Sequence, residues 1–409
     1  MDIIGRARHP VGAIRKGRMP ARAAAAALLV LGQAGGVLAA GAAGAAAKPS
    51  TPVDGGVALP GGPASLLFGL RCITAADCWA VGESNSNTEA LHWDGHRWSL
   101  VPTPSPGNST NTLDDVACTS HANCWAVGTA AFQNETAPNL ILHWNGSRWR
   151  QVPAPSPVPQ GVSELWSVSC ISAASCWAVG QTSGGGEELH WDGHQWSLFP
   201  GLTVEPTAVY CAPSGVCWIV GSEGPAGVGL RWNGHSWQTT AIPGEPALLS
   251  IGCPAAASCW AVGAAGVNRD LNGVVQWNGS VWSNAATPKP RGTARDGRGL
   301  GGLACTSPSN CWAVGPALRA FGIHLQNEAL HWNGTQWSYA SMPGPGPFTQ
   351  MPSLNAMACT SAANCWAVGD FDGTAGHVGG GQAVHWNGHK WVMWGAVTGT
   401  AHRPTRPRR

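Results

Sequence analysis

One short pattern recurs seven times along this chain: two cysteines separated by five residues, the second followed by tryptophan. Residues 72–82 read CITAADCWAVG, and close variants return at intervals of 41 to 54 residues. All fourteen cysteines belong to these strings, as the pairs Cys72/Cys78, Cys118/Cys124, Cys170/Cys176, Cys211/Cys217, Cys253/Cys259, Cys305/Cys311 and Cys359/Cys365. A period of this length indicates a chain built by repeating one supersecondary unit.

Each unit carries a second signature downstream of its Cys-Trp. The seven copies are HWDGHRW, HWNGSRW, HWDGHQW, RWNGHSW, QWNGSVW, HWNGTQW and HWNGHKW. Asp-Gly or Asn-Gly between apolar runs is a strong hairpin signal. In the second unit the segments LDDVACT, CWAVG, LILHW and RWRQV then read as four strands. Seven such units predict an all-β fold, a seven-bladed β-propeller with four antiparallel strands per blade.

The second signature also predicts side-chain directions. A two-residue turn at Asp94-Gly95 places Trp93 opposite His96. Side chains alternate between the faces of a strand, so Trp93, His96 and Trp98 then share one face. Two indoles per blade are expected to pack against the next blade.

The cysteines end one predicted strand and begin the next, so each of the seven pairs is expected to close a hairpin tip as a disulfide. Zinc is the alternative, but zinc sites draw four ligands together and use closer Cys spacing. Pairs distributed one to a blade cannot converge on one ion. The histidines at the second signature also lie about one blade apart, and we predict no metal site from His92, His143, His190, His331 and His385.

The composition divides the chain into a body and two basic ends. Residues 1–47 carry six Arg/Lys and then an Ala-rich apolar run, which predicts a signal peptide, with a membrane anchor as the alternative. Residues 48–65 are interpreted as a linker or, through VDGGVAL at 53–59, a closing strand. Residues 66–396 form the predicted propeller, and 397–409 a basic disordered tail. We therefore expect a secreted protein, extracellular or associated with the cell envelope.

The body is acidic. Residues 48–402 hold 13 basic and 20 acidic residues, a net charge of −7. This charge argues against nucleic acid as the main partner, because phosphate backbones demand a basic surface. The four arginines of residues 403–409 suggest an electrostatic contact of the tail with anionic envelope polymer.

The unit resembles the kelch-type repeat of galactose-oxidase-like central domains. In the sixth unit the counterparts are CWAVG, HWNGTQW and SYASMPGP, and the resemblance covers roughly residues 66–394. The single glycine closing the second strand departs from the double glycine of that family, and the cysteine pair is an addition. The resemblance implies the propeller fold. It does not imply copper oxidase activity, because every cysteine is paired and the only tyrosines are Tyr210 and Tyr339.

Function is expected where the repeat varies. The disulfide tips and Asp/Asn-Gly turns share one rim of the predicted propeller, and their lengths are constant. The other rim carries loops of very different length, such as ESNSNTEA and PALRAFGIHLQNEA, and a variable rim on a rigid scaffold favours binding. The candidate ligand-binding residues near this rim are Asp114, Asp115, Glu164, Trp166, Arg298, Asp370, Asp372 and His377. Among them Trp166 falls outside the repeated tryptophans, and an aromatic ring there could stack on a sugar or a protein side chain.

Three functions compete. The first is a non-catalytic module that binds a glycan or protein ligand, as a monomer and without a cofactor. The second is an extracellular hydrolase or lyase acting on glycans, for which Asp114, Asp115 and Glu164 supply carboxylates. The third is a structural protein of the cell envelope, held by the basic tail.

Overall fold

A computed structural model describes residues 59–396 except 63, 213, 245, 266–270, 289–298, 319–324, 346–348 and 374–378. These residues form seven four-stranded antiparallel sheets, and in each sheet the strands follow one another in chain order. The predicted seven-bladed propeller is therefore confirmed.

The strands of blades 1 to 4 are β1 (Ser65–Thr74), β2 (Asp77–Ser84), β3 (Asn87–Trp93), β4 (Trp98–Leu100); β5 (Asn111–Ser120), β6 (Asn123–Ala130), β7 (Asn139–Trp144), β8 (Trp149–Val152); β9 (Ser163–Ser172), β10 (Ser175–Thr182), β11 (Gly185–Trp191), β12 (Trp196–Leu198); β13 (Glu205–Cys211), β14 (Cys217–Glu223), β15 (Ala226–Trp232) and β16 (Trp237–Ala241). Those of blades 5 to 7 are β17 (Ala247–Ala255), β18 (Ser258–Ala265), β19 (Leu271–Trp277), β20 (Trp282–Asn284); β21 (Gly302–Ser307), β22 (Asn310–Leu318), β23 (Leu325–Trp332), β24 (Trp337–Ala340); β25 (Thr349–Ser361), β26 (Asn364–Gly373), β27 (Gly380–Trp386) and β28 (Trp391–Ala396).

The ring closes without exchanging a strand among the described residues. The first strand of blade 1, β1, packs beside the first strand of blade 7, β25, while each stays in its own sheet. The side-chain amide of Asn355 donates to the carbonyl of Leu67 across this seam at 2.9 Å. Among the described residues, the seam is therefore held by side chains, whereas blades 2 and 3 also share backbone hydrogen bonds such as that from the Ser163 N–H to the carbonyl of Ala137.

Tryptophans hold neighbouring blades together. The Cys-Trp indole of each blade packs against the two signature indoles of the next blade, as Trp79 does against Trp144 and Trp149 with centroids 4.8 and 5.1 Å away. At the seam, Trp366 packs in the same way against Trp93 and Trp98. In this way 21 of the 23 tryptophans form a ring of seven triads, one at each contact between blades. The rings of each triad are tilted or edge-to-face, which is the arrangement that aromatic pairs favour at such distances. The prediction that two indoles of each blade pack against an adjacent blade is confirmed, but that blade is the preceding one and not the next one as predicted.

All seven predicted disulfides are present, one in each blade, and none of the described cysteines is free. They are Cys72–Cys78, Cys118–Cys124, Cys170–Cys176, Cys211–Cys217, Cys253–Cys259, Cys305–Cys311 and Cys359–Cys365. Each joins the first two strands of its blade, near the tip of their hairpin. The rim that carries these disulfides and the Asp/Asn-Gly turns is called the turn rim below, and the opposite rim the loop rim.

The predicted two-residue turn is wrong. Trp93 pairs with Trp98, not with His96, so the turn has four residues. The side chain of Asp94 accepts hydrogen bonds from the backbone N–H groups of His96 and Arg97, at 2.8 and 2.9 Å. This Asx-type cap favours the longer turn. Gly95 is required there, because its φ of +91° suits glycine and an added Cβ would lie 2.8 Å from that of Ala76 on the disulfide tip.

The leader 1–47, residues 53–58 of the candidate closing strand and the tail 397–409 lie outside the described residues. Within the described part of the chain, no helix is long and apolar enough to cross a bilayer.

Candidate functional site: the central channel and the loop rim

The first strands of the seven blades surround a central channel. Six of them carry a β-bulge at the equivalent place, and the bulged residues are Phe68, Asp114, Trp166, Thr207, Leu249 and Asn355. A cavity of about 230 Å³ extends from the level of the bulges to the disulfides of the turn rim. It is lined by residues of all seven blades, so it belongs to the ring as a whole.

One layer of this channel contains the residues immediately before each first cysteine. In chain order they are Arg71, Ala117, Ser169, Tyr210, Gly252, Ala304 and Ala358. Arg71 is exposed, and the hydroxyl of Tyr210 donates to the carbonyl of Cys253 at 3.2 Å. Burial raises the pKa of Tyr210, and the positive charge of Arg71 opposes part of that rise. The two side chains therefore share the channel although they come from blades 1 and 4.

Asp115 connects blade 2 to blade 3. One carboxylate oxygen accepts from the Ser167 hydroxyl and the Val168 N–H, at 2.8 and 3.1 Å, and the other accepts from the Val116 N–H at 2.9 Å. Ser167 in turn accepts from the Val209 N–H of blade 4. The predicted ligand-binding carboxylate thus holds together the first strands of three blades.

Trp166 and Glu164 both lie on β9. Trp166 occupies the bulge and is only 4% exposed, so its indole presents no open face for stacking in this conformation. Its indole nitrogen is buried without a hydrogen-bond partner among the described residues. Glu164 is half-buried and pairs with Gln181 in the sheet. Asp114 is buried at the bulge of β5, where Thr112 donates to it at 3.3 Å.

Asp370 lies on blade 7, whereas Asp114 and Asp115 lie on blade 2 and Glu164 and Trp166 on blade 3. Its carboxylate accepts from the side-chain amide of Asn355 at 2.7 Å, and burial raises its pKa to about 7. Asp372 is exposed two residues further along β26. Arg298 and His377 lie outside the described residues. The structure therefore does not gather the predicted residues into one site. No group of three or more His, Cys, Asp or Glu side chains that could hold a metal occurs among the described residues.

The loop rim differs from blade to blade. The connection between the second and third strands has two residues in blade 1, at 85–86, and eight in blade 2, at 131–138. In the longer loop the Gln133 N–H donates to the side chain of Asn108, and Ala137 pairs with Val162 of the next connection. Much of ESNSNTEA, expected to be loop, is strand instead, because β2 continues to Ser84 and β3 begins at Asn87.

Buried glutamates next to the loop rim were not expected from the sequence. Glu89, Glu187 and Glu328 occupy equivalent positions on the third strands of blades 1, 3 and 6, each opposite the glycine of CWAVG. Burial raises the pKa of Glu89 and Glu187 to about 7, and also raises that of Glu328. Asn139 of blade 2 donates to one oxygen of Glu187 at 3.0 Å, while the other oxygen of Glu187 and the amide oxygen of Asn139 have no hydrogen-bond partner among the described residues. A proton on Glu187 would supply the missing donor.

Blade 7 carries glutamine where these blades carry glutamate. Gln382 and Asn327 exchange two hydrogen bonds, of 2.8 and 3.1 Å, so every polar atom of the amide pair is used. The pair shows what a neutral side chain achieves at this position, and Glu187→Gln would reproduce it against Asn139.

We expect Glu187→Gln to stabilise the protein at pH 8 much more than at pH 5. The pKa of Glu187 in the folded protein, about 7, lies above the ordinary 4.5. The contribution of this carboxyl group to the free energy of unfolding is therefore greatest below pH 4.5 and is lost as the pH rises toward 7. Glutamine removes this loss, which amounts to about 2 to 3 kcal/mol between pH 5 and pH 8. Urea unfolding at both pH values measures it.

The converse substitution, Gln382→Glu, serves as the control and should destabilise mainly at pH 8. An equal effect of Glu187→Gln at both pH values would contradict the prediction.

Comparison with known proteins gives the fold and no family. No family model matches the chain, and no curated protein matches it. Among solved structures it is similar to YCF48 bound to D1 peptide (15% identity, TM-score 0.52, 76% of this chain and 92% of that chain). It is also similar to a virginiamycin B lyase from Staphylococcus aureus with quinupristin (12%, 0.53, 76% and 94%) and to the WD40 repeats of RRP9 (11%, 0.54, 78% and 91%).

The likeness is one of fold. At these identities it extends to no activity or ligand. These neighbours represent several propeller classes and are not specifically of the kelch or galactose-oxidase type. The structure therefore supports the propeller fold that the resemblance implied, with seven blades and a disulfide in each, but not the kelch type itself.

Proposed function

We propose that this protein is a secreted, kelch-like β-propeller that acts as a non-catalytic binding module and takes a protein or peptide ligand on its loop rim. The observation that carries the proposal is the contrast between the two rims. On the turn rim the two cysteines of every blade stand six residues apart and form a disulfide, and every Asp/Asn-Gly turn has four residues. The loop-rim connections, in contrast, range from two to eight residues in blades 1 and 2 alone. Variation confined to one side of a rigid scaffold is typical of recognition surfaces.

Three further features support a secreted protein-binding role. Seven disulfides suit an oxidising extracellular compartment, and the basic and apolar leader suits export. Of the structural neighbours, YCF48 is seen with a bound peptide. A glycan ligand is less well supported, because the aromatic residue expected to stack on sugar, Trp166, is buried. A hydrolase built on Asp115 is also less well supported, because both of its oxygens already accept hydrogen bonds.

We expect peptide binders of this protein to depend on the long loop of blade 2. In the test variant, residues 131–138 are replaced by Asn-Ser, the loop of blade 1, and the turn-rim substitution Asn278→Asp is the matched control. Asp94 shows that aspartate makes the same turn cap, so the control should fold and bind normally. A random-peptide phage library is selected on the wild-type protein, with the loop variant in excess as competitor.

Recovery of clones that bind the wild type and the Asn278→Asp control, but lose at least tenfold on the loop variant, is the expected outcome. If every recovered clone also binds the loop variant equally, this loop does not form the recognition surface and the proposal fails.

A further inference from the structure

We infer that the part of the central channel next to the turn rim binds a carboxylate group, with the guanidinium of Arg71 as its partner. This site lies away from the loop rim, so the inference does not depend on the function proposed above and is tested separately. The inference rests on the cavity and its volume, on the positive charge of Arg71, on the hydrogen bonds that already engage Asp115, and on the glycines and alanines that line the wall of blades 5 to 7.

Arg71 has no ion-pair partner within the cavity among the described residues. Of the residues that line the cavity, two are charged, Arg71 and Asp115. The three donors already bonded to Asp115 come from backbone and serine, so this carboxylate is committed to the contact between blades. No carboxylate of the described residues forms an ion pair with Arg71. The guanidinium of Arg71 is therefore available to a carboxylate, with which it can form strong two-pronged hydrogen bonds.

Where blades 5 to 7 line the channel, much of the wall has no side chain larger than a methyl group, although Ser250 and Asn355 also lie there. Gly252, Gly302, Ala304, Ala356 and Ala358 present at most a methyl group there. On the other side, side chains already take up backbone groups of the first strands: Ser169, for example, accepts from the Cys211 N–H at 2.8 Å. Edge strands with free N–H and C=O groups can pair with a short extended chain. This part of the wall thus offers backbone partners to the part of a ligand that follows its carboxylate.

The size and charge of the space select the ligand. The cavity of about 230 Å³ is smaller than the pockets of roughly 300 to 1,000 Å³ that enclose drug-sized molecules. It suits a carboxylate followed by a few heavy atoms, such as the end of a short peptide or a free small acid. A single guanidinium matches the planar, singly charged carboxylate, and the neighbouring Asp115 disfavours groups of higher negative charge.

Tyrosine provides a local probe of this cavity. The chain contains two tyrosines: Tyr210 lines the channel, whereas Tyr339 lies on the outermost strand of blade 6, where its hydroxyl donates to Pro288. Protein labelled with ¹³C at the tyrosine rings should therefore give two sets of ring signals, which Tyr210→Phe assigns. We expect triglycine to shift the Tyr210 signals in a saturable manner and to leave those of Tyr339 unchanged, and triglycinamide to shift neither. Butyrate, which carries a single carboxylate, distinguishes a free small acid from a peptide end: equal binding of butyrate indicates that the carboxylate alone suffices.

Arg71→Gln removes the charge at an exposed side chain and should weaken triglycine binding at least tenfold, because it removes a charge-assisted pair. Arg148→Gln, at an exposed arginine of the turn rim, is the matched control and should bind as the wild type does. Unchanged melting temperatures separate loss of binding from loss of fold. The inference is overturned if no carboxylate probe shifts Tyr210, if triglycinamide shifts it as triglycine does, or if Arg71→Gln binds normally.

Discussion

Reduction of the seven disulfides is expected to unfold the protein at room temperature. Each disulfide joins cysteines six residues apart, and closing so short a loop restricts the unfolded chain by on the order of 2 kcal/mol. Seven such contributions add up to more than about 10 kcal/mol, which is comparable to the whole free energy of unfolding of a typical protein, about 5 to 15 kcal/mol. The oxidised chain should remain folded under conditions where the reduced chain does not.

Circular dichroism with and without reductant, combined with thiol titration, measures this effect. No thiol should react in the native protein, because the described cysteines are all paired, and all fourteen should react after reduction. Replacing one pair, Cys118→Ala with Cys124→Ala, is the graded control and should cost about 2 kcal/mol. A fully reduced chain that keeps its native spectrum and melting temperature would show that the tryptophan packing alone suffices for folding.

Replacing Trp366 by alanine is expected to lower the free energy of unfolding by about 3 to 5 kcal/mol, as is typical of a large aromatic side chain removed from a core. This indole is fully buried and packs against Trp93, Trp98 and Trp394, with centroids 4.8 to 5.7 Å away. Its loss leaves a cavity at the seam between the last and first blades. Denaturant unfolding measures the change.

Two comparisons make this result specific. Trp177→Ala removes the equivalent indole between blades 3 and 4, which the chain joins directly, and should cost a similar amount if the seam is packed as well as the other interfaces. Leu198→Ala, at a side chain 41% exposed, should change stability by less than about 0.5 kcal/mol. A cost below about 1 kcal/mol for Trp366→Ala would show that the seam does not contribute to the cooperative fold.

Features that repeat could be predicted from the sequence. Seven copies of one unit identify strand number, the disulfides and the packing of indoles, because each copy confirms the others. The length of the Asp/Asn-Gly turn, which side-chain hydrogen bonds determine, was predicted incorrectly. The rule that favours two-residue Asp-Gly turns did not take account of the side chain of Asp94, which accepts two backbone N–H groups and thereby holds a four-residue turn.

Features that break the repeat were harder to interpret. Glu89 falls within ESNSNTEA, which the sequence pattern predicts as loop, yet strand pairing carries it into the interior. Trp166 was predicted to lie near the loop rim because it falls outside the repeated tryptophans, but it occupies the bulge of β9 and is buried. A bulge depends on the partner strand of the same blade, as Leu165 and Ser167 pair with Gly180 and Val179 on either side of Trp166. Contacts between blades depend on residues some 40 to 55 positions away in the chain, which local patterns do not reveal.

Arg71 was overlooked although a signal was present. It stands immediately before the first cysteine of its unit, where the other six units have Ala, Ser, Tyr, Gly, Ala and Ala. Aligning the seven units column by column, rather than comparing loop lengths, would have identified this position. Its place in the channel, without an ion-pair partner among the described residues, becomes visible only when the ring is assembled.

The seam between β1 and β25 gives the molecule a mechanical weak point. Each blade is a complete sheet, so backbone ladders run within blades, and among the described residues side chains, including the Asn355 amide, bridge the two ends of the ring. A force that pulls residues 65 and 396 apart loads this interface first, with the cluster around Trp366 and Leu67 resisting it. Once the seam separates, the blades can be peeled away one at a time from either end. Tension applied through the two ends of the propeller would thus act on the joint where the ring is closed.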